Sequence, residues 1–215
     1  MEIFYDLLKY GGIILAGYLI GSSSMSFYIS KFKKINLKEK GSKNLGASNT
    51  LAIIGKKAAL AVLVHDVLKS FFAILAVRIL FDIPYNEVHW LLAAVGVAAV
   101  VGHIFPFYLK FKGGKGFATY IGLIFGLDWR LFLAVVALIF VVAFITDYIV
   151  SGTFSTIVAG PVYYALIQPN LWVASIVLLG SLVILWKHRE NIRNLKNGKE
   201  MKIRSAFQNK YKQAS

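Results

Sequence analysis

The chain contains no cysteine. That absence removes disulfides, zinc–thiolate centres and iron–sulfur clusters, although it does not fix a redox compartment. Acidic residues are scarce too, with ten Asp and Glu against 24 Lys and Arg, and only four prolines punctuate 215 residues. Charged residues make up 16% of the chain, below the roughly one quarter usual in soluble domains. No GxxxxGK[ST] phosphate loop is present, which disfavours nucleotide hydrolysis. A His-x4-Asp acyl-transfer pair is missing as well: His65 sits directly beside Asp66, and His89, His103 and His188 are followed five residues on by Ala94, Tyr108 and Arg193. The start, MEIFYDLLKY, carries two acids ahead of its first lysine, unlike the basic beginning of a signal peptide, so the first apolar segment is expected to be retained.

What the chain has in abundance is apolar sequence: 58% of its residues are hydrophobic and the mean hydropathy is +0.66. Several stretches approach the roughly 20 residues that cross a bilayer. The fold class this predicts is all-α, a polytopic membrane helical bundle. Apolar segments fall at about 10–30, 58–80, 88–109, 117–127, 131–145, 154–167 and 171–186. Counting each as a crossing gives about seven transmembrane segments. Four are short, so five spans with re-entrant pieces is the other arrangement, and both put the termini on opposite sides. Residues 31–57 hold eight lysines, 110–115 three, and 187–215 nine Lys or Arg. These fall on one side in the seven-span arrangement. Lys and Arg collect in cytoplasmic loops, which predicts an external N-terminus and a cytoplasmic C-terminus. The same bias accounts for the net charge of +14 without invoking nucleic acid. No internal repeat or low-complexity segment is visible, and residues 1–215 read as a single integral membrane domain.

Three stretches on the basic side carry residue types that plain connectors do not need. GSKNLGASNT, from Gly41 to Thr50, offers hydroxyls, amides and backbone N–H groups that can form an anion-binding nest. It reads equally as a polar turn whose Ser or Asn caps the next helix. FKGGKG, from Phe111 to Gly116, joins glycines that permit close backbone approach to two lysines and a helix start near Phe117. Those features describe a phosphate cradle, or else an ordinary basic loop. In WKHRENIRNLKNGKE, His188 and Asn191 share a helix face; the alternative is a basic interfacial helix. Asp66 and Lys69 lie three apart inside an apolar segment, where an internal ion pair is the simplest account. His103, in GHIFPF, is either a packed, hydrogen-bonded histidine or a support for the glycine loop.

GSKNLGASN, then GKKAALAVLVHDVLKS, GHIFPFYLKFKGGKGFAT and KHRENIRNLKNGKE stand in an order and spacing that resemble the bacterial membrane acyl-phosphate:glycerol-3-phosphate acyltransferases. The likeness covers roughly residues 10–200. It implies seven spans in the bacterial cytoplasmic (inner) membrane with the active site on the cytoplasmic side. It also implies transfer of a fatty acyl group from acyl phosphate to the 1-hydroxyl of glycerol 3-phosphate, in phospholipid synthesis. Carried over by motif, Ser42, Lys115, His188 and Asn191 are the expected catalytic residues. Asn44, Asn49, Lys112, Gly113, Gly114, Gly116 and His103 are expected to bind substrate and its phosphate. In this family a substrate phosphate is thought to take the hydroxyl proton, so no strong protein base is needed. No cofactor or metal is implied. The implied partners are the two substrates, membrane lipids and an enzyme that produces acyl phosphate, with no nucleic acid.

The chain departs from the family pattern at four places. Ala52 stands where an arginine usually follows the first loop, Lys43 replaces its second glycine, and Ser70 replaces the glycine after Lys69. DYIVSGTFS keeps Tyr148, Ser151 and Ser155 but has Asp147 where positive charge is usual. Losing one charged contact to phosphate costs about 1.5–3 kcal/mol, so a diverged paralogue with altered substrate or no catalysis is the second reading. A transporter is the third, and it is disfavoured because the polar clusters sit at one face rather than at mid-membrane.

Overall fold

The computed structural model describes residues 1–204, and every regular element among them is helical. Each of the seven apolar segments forms a helix. Residues 205–215, the end of the tail expected to be cytoplasmic, lie outside the described residues. The chain separates into two compact units, Met1–Trp129 and Arg130–Ser215.

In the first unit, α1 (Glu2–Ser22) leads into α2 (Met25–Phe32), followed by the short α3 (Ala47–Ile53), the long α4 (Lys56–Leu80), α5 (Trp90–Ile104) and α6 (Phe117–Leu127). α1 and α5 touch backbone to backbone. A Cβ on Gly21 would fall 2.1 Å from the Ala99 carbonyl oxygen, and one on Gly102 would fall 2.1 Å from that of Tyr18. Lipid tails are as apolar as leucine, so helices in a bilayer associate by such close packing of small residues. α6 meets α4 in the same way. A Cβ on Gly122 would fall 1.9 Å from the Val67 carbonyl oxygen, and Phe71 stacks on Phe125 with ring centroids 4.3 Å apart.

The GSSSMS stretch breaks the first apolar segment. Ser24 caps α2 by accepting a hydrogen bond from the Phe27 amide at 3.3 Å. The break frees the Ser23 carbonyl from helical pairing, and that oxygen is used by the site described below.

The second unit holds α7 (Trp129–Thr146), α8 (Ile149–Val162), a π-helical turn (Tyr163–Ile167), α9 (Leu171–Lys187) and α10 (Arg189–Lys196). Pro161 lies in the last turn of α8 just before the π turn, as expected where a missing N–H disturbs the helical ladder. α10 bends 54° away from α9 at His188.

By length and composition, five helices among the described residues can cross a bilayer, or six if the bent pair α9–α10 counts as one span. Two of the short segments expected from sequence gain length from their flanks: α7 reaches 18 residues, and α8 with its π turn reaches 19. α6, at 11 residues, is too short to cross 30 Å of hydrocarbon at about 1.5 Å per residue.

Arg78 explains how the first unit tolerates a buried cation near the end of α4. Its guanidinium donates to the carbonyls of Gly126 at 3.3 Å, Leu127 at 2.9 Å, Pro84 at 2.7 Å and Glu87 at 3.0 Å. It therefore caps the C-terminus of α6, where orphan carbonyls and the negative dipole end favour a cation, and ties that cap to the Pro84–Glu87 turn. Arg78→Met leaves these acceptors unpaired at about 1–3 kcal/mol each. The detergent-solubilised variant is expected to melt ~5–10 °C lower than the parent, and an unchanged melting temperature would remove Arg78 from this role.

Candidate active site

The two loops singled out in the first half of the sequence come together. Leu37 and Leu45 of the first basic stretch bury themselves against Leu109, the last residue of a 3₁₀ turn (Phe107–Leu109) that leads into FKGGKG. Phe27, Ile53 and Ile54 pack around this cluster. Hydrophobic burial thus staples one loop to the other, and Lys38 reaches across to the Leu109 carbonyl at 3.5 Å.

Asn49 organises the first loop. Its side-chain nitrogen donates to the carbonyls of Leu37, Lys40 and Asn44 at 3.0–3.1 Å, and its oxygen accepts from the Ser42 amide at 2.9 Å. The side chain is 2% exposed. Asn49, expected from sequence to bind substrate, has its polar atoms committed to the loop's own backbone. The Ser42 hydroxyl and the Asn44 side-chain amide make no hydrogen bond among the described residues, and Ser42 is exposed. These two present the loop's open polar groups.

The glycine loop is built on α5. Gly113 and Gly114 donate their amides to the carbonyls of Ile104 and His103 at 3.0 and 3.1 Å, so these N–H groups are committed within the protein. Their lack of side chains is what counts. A Cβ on Gly113 would fall 2.1 Å from the His103 carbonyl oxygen, and one on Gly114 would fall 2.0 Å from His103 Nε2 and 2.8 Å from the Leu45 carbonyl oxygen. Gly116 has φ +89° and no side chain to cap α6. The first-turn amides of α6 therefore face out of the helix end without a side-chain cap, at the positive end of its dipole. Thr119 in that turn is fully buried, and its hydroxyl lacks a protein partner among the described residues. Half-buried Lys115 and exposed Lys112 flank this helix start.

Behind the loop lies a buried polar cluster. Lys69 Nζ stands 2.9 Å from the Ser23 carbonyl oxygen, 3.0 Å from Asp66 Oδ1 and 2.7 Å from His103 Nδ1. His65 joins it, with Nδ1 3.3 Å from Asp66 Oδ1 and Nε2 3.2 Å from Ser23 Oγ. The Asp66–Lys69 pair expected from sequence is present. Its third partner, His103, lies 34 residues further on, a separation that local spacing does not reveal. Beside the cluster, Leu19, Ser22, Ser23, Phe27, Tyr28, Phe107 and Tyr108 line a groove of about 420 Å³, mostly apolar with serines in its wall.

In the second unit, His188 ends α9. It is 5% exposed, its ring packs edge-on against Phe154, and Nδ1 donates to the Ile184 carbonyl at 2.9 Å. That bond leaves Nε2 as the acceptor of the neutral ring. Asn191, one turn on in α10, donates to Glu200 Oε1 at 2.9 Å. Asp147, with φ +65°, accepts the Ile203 amide on its carbonyl and the Arg204 amide on its carboxylate, both at 2.9 Å.

The family model for glycerol-3-phosphate acyltransferase matches residues 11–198. The chain belongs to the glycerol-3-phosphate acyltransferase family. It is 37% identical over 192 residues to the glycerol-3-phosphate acyltransferase of Bartonella henselae, covering 89% of this chain and 90% of that one. A relative of the same name from Gloeobacter violaceus is 38% identical over 196 residues, covering 89% and 94%. The crystal structure of PlsY (YgiH), an integral membrane glycerol 3-phosphate acyltransferase in its glycerol 3-phosphate form, superposes with a TM-score of 0.83 at 27% identity, covering 91% of this chain and 96% of that one. As in that acyltransferase, the fold here is an all-helical integral membrane one.

The loop lysines of this family member repel one another. The pKa of Lys38 is held below the ordinary lysine value of 10.5, first by partial burial and then by the charges of Lys112 and Lys110. A phosphate bound beside these lysines would offset that repulsion and favour the charged form, so binding there would take up a proton as pH rises through the lowered pKa. Calorimetry across an alkaline pH series is expected to show affinity for inorganic phosphate falling in that window, with Lys38→Gln weakening binding at neutral pH and flattening the fall. An unaltered pH dependence in the variant would exclude Lys38 from the anion site.

Proposed function

We propose that this acyltransferase moves a fatty acyl group from acyl phosphate to the 1-hydroxyl of glycerol 3-phosphate, producing lysophosphatidic acid and inorganic phosphate. One observation carries the reading: two loops locked together around an uncapped helix start, with lysines beside it and an apolar groove in the same unit. The acceptor oxygen attacks the acyl carbonyl carbon, the carbon–oxygen bond to phosphate breaks, and the phosphate leaves with the bonding electrons. A phosphate oxygen takes the hydroxyl proton. With so good a leaving group, the protein's work is positioning and charge neutralisation.

In this reading Ser42 and Asn44 contact substrate from the first loop, Lys112 and Lys115 neutralise phosphate charge, and Gly113, Gly114 and Gly116 keep side chains out of the cradle. His188 and Asn191 are the second unit's candidates for substrate contact. The groove between Leu19 and Tyr108 suits an acyl chain. Transfer is placed on the cytoplasmic side of the bacterial inner membrane, with the N-terminus outside, next to an enzyme that supplies acyl phosphate.

Purified protein is expected to release phosphate from palmitoyl phosphate only when glycerol 3-phosphate is present. Release that ignores the acceptor, or no release with both substrates supplied, would sink the reading. Lys115→Ala and His188→Ala are each expected to lower turnover by roughly a hundredfold, the scale of a lost charge-assisted contact, while the variants still unfold in a single cooperative transition. Either variant turning over at the parental rate would take that residue out of the site.

A further inference from the structure

We propose that His103 is a fixed-tautomer anion donor: its Nε2–H points into the glycine loop and binds phosphate there, while Lys69 and Asp66 act as positioning residues that hold the ring in that state. The inference rests on the phosphate-cradle reading above and assigns the cradle a donor from inside the helix bundle.

Lys69 fixes the tautomer. An ammonium has three N–H donors and no acceptor. The three oxygen and nitrogen atoms around Nζ, on Ser23, Asp66 and His103, account for all three donors. His103 Nδ1 at 2.7 Å must therefore accept, which puts the ring proton on Nε2. The competing arrangement, Nδ1–H donating to Asp66, spans 3.5 Å, a far poorer hydrogen bond. Asp66 holds the lysine in place at 3.0 Å, and the helix break at Ser23 supplies the third acceptor. His65, the remaining titratable group in the cluster, bonds Asp66 and Ser23 rather than His103.

The orientation of Nε2 follows from glycine. The site of a Cβ on Gly114 lies 2.0 Å from Nε2, so the nitrogen sits directly against the backbone of the loop. His103 is 6% exposed, and Nε2 has no hydrogen-bond partner among the described residues. The N–H on Nε2 is therefore uncommitted among the described residues and available to an acceptor at the loop. An acceptor that enters the loop gains that directed N–H. A small anionic acceptor fits this place, because Lys112 and Lys115 belong to the same loop and the uncapped start of α6 follows it. Phosphate, free or as part of a substrate, has that chemistry.

Two substitutions separate the ring nitrogens. His103→Gln places an amide N–H near the position of Nε2, whereas His103→Asn keeps only a polar atom near Nδ1. Binding of inorganic phosphate to the full-length protein in detergent is measured by calorimetry, and acyl transfer is assayed in parallel. His103→Gln is expected to stay within about tenfold of the parent in phosphate affinity, and His103→Asn to fall a further roughly tenfold or more. Lys69→Met is expected to track His103→Asn, because the freed ring can turn its proton to Nδ1. Melting temperatures show which variants remain folded, and the Gln–Asn comparison stands without Lys69→Met. Equal binding by the Gln and Asn variants, tighter binding by Asn, or no phosphate binding by the parent overturns the proposal. A parent that binds phosphate but transfers no acyl group, with the Gln–Asn order preserved, overturns the acyl-transfer reading and leaves this one standing.

Discussion

The ammonium of Lys69 is the point through which the first unit is organised. It takes up the carbonyl that the helix break at Ser23 leaves unpaired, the carboxylate of Asp66 one turn back on its own helix, and the ring of His103 on α5. A charge at 6% exposure in a helical membrane protein is tolerable only when every donor is met. The three acceptors come from three separate pieces of chain, so meeting them fixes those pieces relative to one another. His103 then carries the geometry outward. Its carbonyl receives the Gly114 amide and its ring backs the glycine loop. The loop that sequence marks as soft is seated on a buried polar cluster whose ammonium has all three donors met.

This seating changes what the glycines mean. Read as sequence, the glycines of GGKG permit close backbone approach to an anion beside a helix start. In the folded chain the Gly113 and Gly114 amides are spent on α5, and the missing side chains are what let the loop lie on the His103 ring. The uncommitted amides are those at the start of α6, where no side chain caps the helix and where the sequence already pointed. Asn49 shows the same exchange of roles: a residue type that suggests a ligand contact is consumed in shaping the loop, and the neighbouring Ser42 and Asn44 keep their side chains open.

Helices, their approximate bounds and the two loops of the first unit were legible because apolar length and glycine–lysine clustering are local signals. Two kinds of feature were not. Arg78 looks like a stray charge in an apolar run, since its carbonyl acceptors on α6 lie 48 and 49 residues away and carbonyls leave no mark in sequence. Asp147 looks like a charge reversal that would weaken an anion site. In the structure it gathers the amides of Ile203 and Arg204, and the Arg204 guanidinium stands 4.0 Å from its carboxylate. The acid thus brings a cation back to the α7–α8 turn from the far end of the unit. An exposed pair of this kind contributes little stability, but it alters the charge that the turn presents.

The placement of charge and the length of α6 together constrain topology. The three basic stretches can share one face only if an even number of crossings separates 110–115 from the tail. α7, α8 and α9 supply three. The expected seven-span arrangement would therefore need α6 as a fourth crossing, and its 11 residues fall well short of a full span. Two features bear on how so short a helix is accommodated. Thr119–Leu127 is almost wholly buried within its own unit, so little of its backbone depends on lipid thickness. Its C-terminal carbonyls, which a short helix would otherwise leave at membrane depth, are met by Arg78. The same cap anchors one end of α6 while the seated glycine loop fixes the other. A helix held at both ends keeps its positive pole fixed beside the glycine loop, the position from which the proposed cradle would draw its anion-facing amides.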